Sequence, residues 1–102
     1  MSTMDQFRSF FSTYSTAMLA GDEDALRQTL PPGIPDEHFA FLMDMNQGFF
    51  AQAAADGIEP EFEQRGDCFV AHYEMNSDDG EETMDREFWW HEDRWVSFDP
   101  NE

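Results

Sequence analysis

The sequence contains no lysine, and its five basic residues, all arginine, stand against 23 aspartate and glutamate residues. The formal charge of the 102 residues is therefore −18 at pH 7. A nucleic-acid-binding surface needs clustered basic side chains that displace counterions from phosphates, and anionic membrane surfaces attract polybasic segments in the same way. The shortage of basic residues excludes direct binding of nucleic acid or of anionic membranes through a basic surface.

Cysteine and long apolar runs are also scarce. Cys68 is the single cysteine, so the chain forms no internal disulfide, which fits a reducing compartment. No apolar run approaches the roughly 20 residues of a membrane span, and residues 1–11 lack the apolar segment of a signal peptide. These features predict a cytoplasmic protein without a membrane anchor.

Apolar side chains are present in ordinary amount, and aromatic ones are abundant. Hydrophobic residues make up 40% of the chain and aromatic residues 16%, with 11 phenylalanines among them. Such a composition supports a packed core and not a disordered chain. The length fits a single domain spanning residues 1–102.

Three helices are predicted in the first half of the chain. Apolar residues spaced by three and four predict a first helix over residues 4–18. Asp22 is the expected N-cap of a second helix that extends to Leu30, where prolines follow. A third helix is predicted from Asp36 to Gly57.

The period of the apolar residues changes to two after the third helix, which predicts strands. We expect a strand around Phe62, a second over 67–75, a third over 82–92 and a last one over 94–98, with turns at 77–80 and at Glu92-Asp93. The predicted fold class is α+β, with three N-terminal helices packed on one face of a four-stranded antiparallel sheet.

Strict alternation divides the strand residues between the two faces of the sheet. The face predicted to pack on the helices carries Phe62, Phe69, Ala71, Tyr73, Met75, Met84, Phe88, Trp90, Val96 and Phe98. The opposite face carries Glu59, Glu61, Glu63, Cys68, Val70, His72, Glu74, Asp85, Glu87, Trp89, His91, Trp95, Ser97 and Asp99.

The acidic residues concentrate on this second face. Residues 59–102 contain 15 acidic and 3 basic residues, a net charge of −12, whereas residues 1–58 contain 8 and 2, a net charge of −6. Carboxylates at alternate strand positions stand roughly 6.6 Å apart and repel each other unless salt or a cationic partner screens them. Tryptophans among exposed carboxylates are typical of protein-binding surfaces, through ion pairs and cation–π contacts.

We therefore predict a partner-binding face for a basic protein. Its residues are Glu59, Glu61, Glu63, Glu74, Asp85 and Glu87, with Trp89 and Trp95 as aromatic anchors. Two other interpretations of the same face are general solvation, including adaptation to high salt, and homodimerisation.

Several segments resemble the NTF2-like superfamily. The stretch FSTYSTAMLAGDEDALRQTL is similar to the opening of these domains, and GDCFVAHYEM followed by EFWWHEDRWVSF is similar to their long strand and final paired strands. The resemblance implies a curved sheet around helices with a conical pocket, in a superfamily that includes isomerases, dehydratases, transport factors and bacterial toxin-immunity proteins. The segment PPGIPDEH leaves no room for the hairpin that many members have between helices two and three, which indicates a reduced version.

The resemblance also bears on catalysis. In ketosteroid-isomerase-like members, a tyrosine at the place of Tyr14 donates to a developing oxyanion, and the carboxylate base comes from the hairpin that is missing here. Without that base, proton abstraction has no obvious agent. We expect Tyr14 to be a core residue.

Metal and cofactor motifs are lacking. The three histidines, His38, His72 and His91, show no HxH or HExxH spacing. The acidic stretch 78–82 lacks the order of ligands in a calcium-binding loop and is interpreted as a hairpin turn. No metal, no cofactor and no catalytic residue is predicted.

Two functional hypotheses follow. The first is a non-enzymatic immunity protein of NTF2-like type that neutralises a cognate bacterial toxin by occluding its basic nucleotide- or nucleic-acid-binding active site. The second is a small-molecule-binding domain or isomerase-like pocket enzyme, with Tyr14 and His38 lining the site.

Overall fold

The structure is a computed structural model that describes residues 3–77 and 80–100. Three helices precede four strands, which form one antiparallel sheet in the order β1-β2-β3-β4. The α+β fold class and the order of its elements are as predicted. The elements are α1 (Met4–Ala20), α2 (Glu23–Arg27), α3 (Asp36–Ala55), β1 (Glu61–Arg65), β2 (Cys68–Ser77), β3 (Gly80–His91) and β4 (Arg94–Val96).

Local capping interactions define the ends of α1 and the start of α2. Thr3 and Gln6 form a reciprocal capping box at the start of α1, in which each side chain accepts from the other residue's backbone amide. The helix ends at Gly21, whose φ of 76° is a left-handed conformation that glycine adopts without strain. Asp22 then accepts hydrogen bonds from the backbone amides of Asp24 and Ala25, as expected of an N-cap.

The second helix is shorter than predicted. It ends at Arg27, and the next residues form a turn in which the Thr29 hydroxyl donates to the Leu26 carbonyl at 2.8 Å. Thr29 is buried, and Pro31 follows two residues later. A residue before proline avoids helical geometry, so the backbone leaves the helix before the proline is reached.

The sheet is a meander with a regular register. Pairing of β2 with β3 runs without interruption from Cys68↔Trp89 to Ser77↔Gly80. Asp78 and Asp79 of the predicted hairpin turn lie outside the described residues. The turn between β3 and β4 consists of Glu92 and Asp93, both with positive φ, as predicted for a tight two-residue turn.

Phe7 lies at the centre of an aromatic core between the helices and the sheet. Its ring centroid lies 5.7 Å from that of Phe62, 5.5 Å from that of Phe69 and 5.2 Å from that of Trp95. Phe7 is completely buried. The first helix therefore covers the sheet through the stripe of aromatic residues that its spacing predicted.

The predicted faces are correct for β2 and β3 and wrong for β4. Trp95 lies on the helix side of the sheet and is buried in the aromatic core, whereas Val96 lies on the opposite side. The two-residue turn pairs Trp90 with Trp95, and directly paired residues share a face. Because Trp90 lies on the helix side, Trp95 must lie there too.

Burial on the helix side decreases along β3 away from Phe88. Met84 and Trp90 occupy this side as predicted, but each keeps about 40% of its surface exposed.

None of the helices within residues 3–77 and 80–100 has the length and apolar character that a membrane-spanning helix needs.

Candidate functional site

The strand register places three rows of side chains on the sheet side that faces away from the helices, which we call the outer face. Each row crosses the sheet, because directly paired residues of neighbouring strands point to the same side. The rows are Glu61–His72–Asp85, then Glu63–Val70–Glu87, then Arg65–Cys68–Trp89–Val96.

A network of ion pairs connects the first and third rows. Asp85 Oδ1 lies 2.5 Å from His72 Nδ1, and Asp85 Oδ2 accepts from Arg65 at 3.3 Å. The Arg65 guanidinium also donates to Glu63 Oε1 at 2.5 Å, and Glu74 lies 3.8 Å from His72 Nε2. One arginine and one histidine thus hold three carboxylates in defined positions.

These contacts shift the pKa values of the groups involved. The hydrogen bond from His72 lowers the pKa of Asp85, with a further contribution from Arg65. The same hydrogen bond raises the pKa of His72. The pair therefore favours imidazolium and carboxylate, and in this state His72 is an ion-pair partner and not a general base.

A small apolar patch lies beneath the network. Val70 and Val96 are completely buried although they belong to the outer face, and Cys68 is nearly so. Arg65 pairs with Cys68 yet reaches Asp85 on the far side of β2, so its side chain crosses β2 at the level of Val70. The alkyl part of an arginine can cover apolar surface in this way.

Cys68 is not an activated nucleophile. Burial, with a contribution from its contact to the Glu87 carboxylate at 3.5 Å, raises the pKa of its thiol to about 11. A thiol with this pKa is almost entirely protonated at neutral pH. This environment is in keeping with a structural role for Cys68.

Six of the eight predicted partner-binding residues lie on the outer face. They are Glu61, Glu63, Glu74, Asp85, Glu87 and Trp89. Glu59 is exposed but precedes β1, which starts after Pro60. Trp95 is 7% exposed within the core, so it was wrongly predicted as a surface anchor.

Sequence reasoning missed the role of Arg65 and did not include His72 among the binding residues. Arg65 continues the alternation of Glu61 and Glu63 along β1, which places it on the same face. That alternation was a usable signal for its face. Its contact with Asp85 spans three strands and follows from the register, which the sequence does not display.

The second candidate site is a cleft on the helix side of the sheet, which we call the β3 cleft. Its volume is about 360 Å³. Its lining residues are Tyr14, Leu26, Leu30, Leu42, Met45, Asn46, Asp85, Arg86, Glu87, Phe88, Trp89 and Ser97. His38 is exposed on α3 and is not among these residues, so the pair of Tyr14 and His38 expected for a pocket enzyme does not form.

Arg86 provides a positive charge in this cleft. Its guanidinium donates to the side-chain oxygen of Asn46 and lies 5.3 Å from the ring centroid of Phe49. In the described part of the chain, no carboxylate forms an ion pair with it. Burial raises the pKa of Tyr14, and the neighbouring Arg86 charge and Thr29 side chain offset part of this effect.

Neither site shows an arrangement for metal binding. In the described ranges, 3–77 and 80–100, there is no group of three or more histidine, cysteine, aspartate or glutamate residues that could hold a metal ion.

Comparison of the chain with protein-family models, with curated proteins and with solved structures finds no match.

Proposed function

We propose that this protein is an inhibitory binding protein that uses its outer face to bind a basic protein partner. The observation that carries the proposal is the set of exposed carboxylates around Trp89, in a chain of net charge −18. An Arg- or Lys-rich surface would pair with these carboxylates and stack on the indole ring. Electrostatic attraction of this kind accelerates association and weakens as salt is added.

Preorganisation of the carboxylates supports a binding role. Arg65 holds Glu63 and Asp85, and His72 holds Asp85 and lies near Glu74. Side chains that are already positioned lose less conformational entropy when a partner binds. Glu61 and Glu87, which have no cationic partner among the described residues, remain available for new ion pairs.

In its most concrete form, the proposal is a cytoplasmic immunity protein of NTF2-like type that occludes the basic active site of a cognate toxin. The stretch that resembles the superfamily supplies Gly21 and Asp22, which end α1 and cap α2. Carboxylates would occupy the positions that substrate phosphates take in a nucleotide- or nucleic-acid-binding site. The buried thiol of Cys68 is compatible with a reducing compartment.

The experiment compares two variants of equal charge. The outer-face variant carries Glu61→Gln, Glu63→Gln, Glu74→Gln and Glu87→Gln. The control variant loses four carboxylates elsewhere, through Asp5→Asn, Glu37→Gln, Asp44→Asn and Asp67→Asn.

Each variant is coexpressed with the product of the gene immediately upstream, and growth is measured. We expect the wild type and the control to restore growth and the outer-face variant to fail. Equal protection by both variants, or no effect of the wild type, would contradict the proposal.

Adaptation to high salt makes a different prediction. If the acidic residues serve solvation in salt, the free protein should unfold when the ionic strength is lowered, because nothing then screens their repulsion. We expect the free protein to stay folded in about 10 mM salt, where the Debye length is about 30 Å. Circular dichroism during dialysis to low salt measures this, and unfolding would favour the halophilic interpretation.

A second candidate function is the binding of a small molecule in the β3 cleft, with or without isomerase- or dehydratase-like chemistry. The position of Arg86 beside Tyr14 and Asn46 favours it, because a guanidinium without a carboxylate partner suits an anionic ligand. The substitution Tyr14→Phe should weaken such a ligand and leave the protein complex unchanged. The triple variant Glu61→Gln, Glu63→Gln, Glu74→Gln, which leaves the lining of the β3 cleft unchanged, should do the reverse.

A further inference from the structure

One edge of β3 has no neighbouring strand from the described residues over part of its length. In the described part of the chain, β4 pairs with β3 only from Trp89 to His91. Beyond Val96 the chain turns away, because the Ser97 amide donates to the Thr29 carbonyl at 2.7 Å and the Ser97 hydroxyl does so at 3.0 Å. Among residues 3–77 and 80–100, the segment Thr83–Glu87 therefore has β2 on one side and no strand on the other.

The turns at both ends of β3 indicate which backbone groups face the open edge. In a two-residue hairpin the residues that flank the loop exchange backbone hydrogen bonds. Gly80 therefore bonds towards β2 and His91 towards β4. Because the direction alternates and the register has no bulge, the amides and carbonyls of Thr83, Asp85 and Glu87 point to the open edge.

The β3 cleft runs along this same edge. Five consecutive residues, Asp85 to Trp89, line it. Side chains of consecutive strand residues alternate between the two faces, so a cavity that all five touch must follow the strand's edge. The opposite wall is mainly apolar and includes Leu30, Leu42 and the half-exposed Met45.

The charges beside the edge select the occupant. The side chains of Asp85 and Glu87 flank the edge on the outer face. On the cleft side the edge is flanked by the apolar wall and by Arg86, whose guanidinium is held by Asn46 and lies near the Phe49 ring. A strand added here would place alternate residues next to the carboxylates and next to the apolar wall. A second copy of this chain would bring its own Asp85 and Glu87 against these carboxylates, which is destabilising.

We propose that the open edge of β3 binds an extended segment of a basic protein by β-strand addition. The segment carries lysine or arginine at alternate positions and apolar residues between them. Backbone hydrogen bonds to Thr83, Asp85 and Glu87 provide affinity, and the alternating side chains provide specificity. The inference rests on the proposed function, since it names how the basic partner engages the sheet.

A pair of substitutions at one position tests the strand addition. Glu87→Pro and Glu87→Thr remove the same carboxylate, but only proline removes the amide that points to the open edge. The probe is a synthetic peptide of about seven residues that alternates valine and lysine. Its binding is measured by calorimetry in low salt, and a version with N-methylated backbone amides serves as the second probe.

We expect the peptide to bind Glu87→Pro about three- to tenfold more weakly than Glu87→Thr, since the hydrogen bond that the Glu87 amide donates to the peptide is lost. The N-methylated peptide should bind the wild type with a similar loss. Equal binding to the two variants, or undiminished binding of the methylated peptide, would overturn strand addition. If Glu87→Pro does not fold, Thr83→Pro against Thr83→Val gives the same comparison without a change of charge.

Two further measurements separate this inference from the proposed function. A peptide with glutamine in place of lysine should bind weakly; if it binds as tightly as the lysine peptide and is still sensitive to Glu87→Pro, the edge binds strands but the basic partner is contradicted. Sedimentation equilibrium of the free protein should show a monomer. A dimer that Glu87→Pro dissociates and Glu87→Thr does not would assign the edge to a second copy and overturn the proposal.

Discussion

Trp90 and Trp95 face each other across the β3–β4 hairpin with ring centroids 5.2 Å apart and an interplanar angle of 68°. Trp90 keeps 40% of its surface exposed, while Trp95 is buried and also contacts Phe7 and Phe69. The edge-to-face arrangement of the two indoles joins a solvent-exposed ring to the aromatic core. Trp95 is therefore a structural residue of the fold, and Trp89 is the indole that the outer face presents.

Truncation of Trp95 should destabilise the protein strongly. We expect Trp95→Ala to lower the free energy of unfolding by about 3–5 kcal/mol, because a large buried aromatic side chain is replaced by a cavity. The matched variant Trp89→Ala, at a half-buried residue of the outer face, should cost less, about 1–2 kcal/mol. Urea denaturation of the two variants measures the difference, and equal losses would contradict the assignment of the two faces.

The ion pair of His72 with Asp85 should give a pH-dependent contribution to stability. Folding raises the pKa of His72 above 6.5, so its contribution is complete below pH 6.5 and is lost as the pH rises through the raised value. Folding lowers the pKa of Asp85 below 3.8, so its contribution is complete above pH 3.8 and is lost as the pH falls through the lowered value.

The difference in Tm between the wild type and His72→Gln should therefore be greatest between about pH 4 and pH 6.5 and should shrink on either side. The substitution His38→Gln, in an exposed histidine of α3, is the control. A difference that stays constant from pH 4 to pH 9 would show that His72 acts through packing and not through its charge.

Substitutions in the turn between β3 and β4 should stabilise the protein. Glu92 and Asp93 have φ values of 49° and 64°. A residue other than glycine adopts this left-handed backbone conformation at a cost of about 1–2 kcal/mol. Asparagine followed by glycine is the preferred pair for this turn. The double variant Glu92→Asn, Asp93→Gly should raise the Tm and add about 1–2 kcal/mol to the free energy of unfolding.

The control for the turn removes the same two charges without relieving the backbone. The double variant Glu92→Gln, Asp93→Ser keeps a β-carbon at both positions. It should gain much less stability than the asparagine–glycine variant in thermal unfolding. Equal gains would attribute the effect to reduced acidic repulsion and not to the backbone conformation.

The thiol of Cys68 should react slowly in the folded protein. Because its pKa is raised from 9.0 to about 11, the thiolate fraction at pH 8 falls about a hundredfold, and burial restricts access further. Labelling by an aromatic disulfide reagent should be slow in buffer and fast in urea. Glu87→Gln should accelerate labelling of the folded protein, and Glu61→Gln, on the same face, should not.

Periodicity predicted the elements well where one pattern covers a whole segment. The stripe of α1 and the alternation of β2 and β3 each follow from side-chain spacing that a core requires, whereas the start of α3 at Asp36 follows from the prolines before it. The face of Trp95 was predicted from alternation alone. The tight turn at Glu92-Asp93 already implied that Trp90 and Trp95 pair, so the sequence contained the information that corrects the prediction.

The ion-pair network of the outer face could not be predicted from the sequence. Alternation along the strands predicted which face most of the carboxylates occupy, but the contact of Arg65 with Asp85 depends on the alignment of three strands. The open edge of β3 depends on a hydrogen bond between Ser97 and Thr29, which lie far apart in the chain. Contacts of this kind follow from tertiary packing, and no local pattern encodes them.

The contact of Phe7 with Trp95 has a kinetic consequence. The two rings pack together although 87 residues separate them in the chain, so the aromatic core closes only when the two ends of that segment have met. Closing so long a loop carries a large entropic cost before its contacts compensate for it, which slows folding. The rate-limiting barrier is therefore expected to include the docking of β4 on α1, and substitutions at Phe7 or Trp95 to change the folding rate as well as the stability.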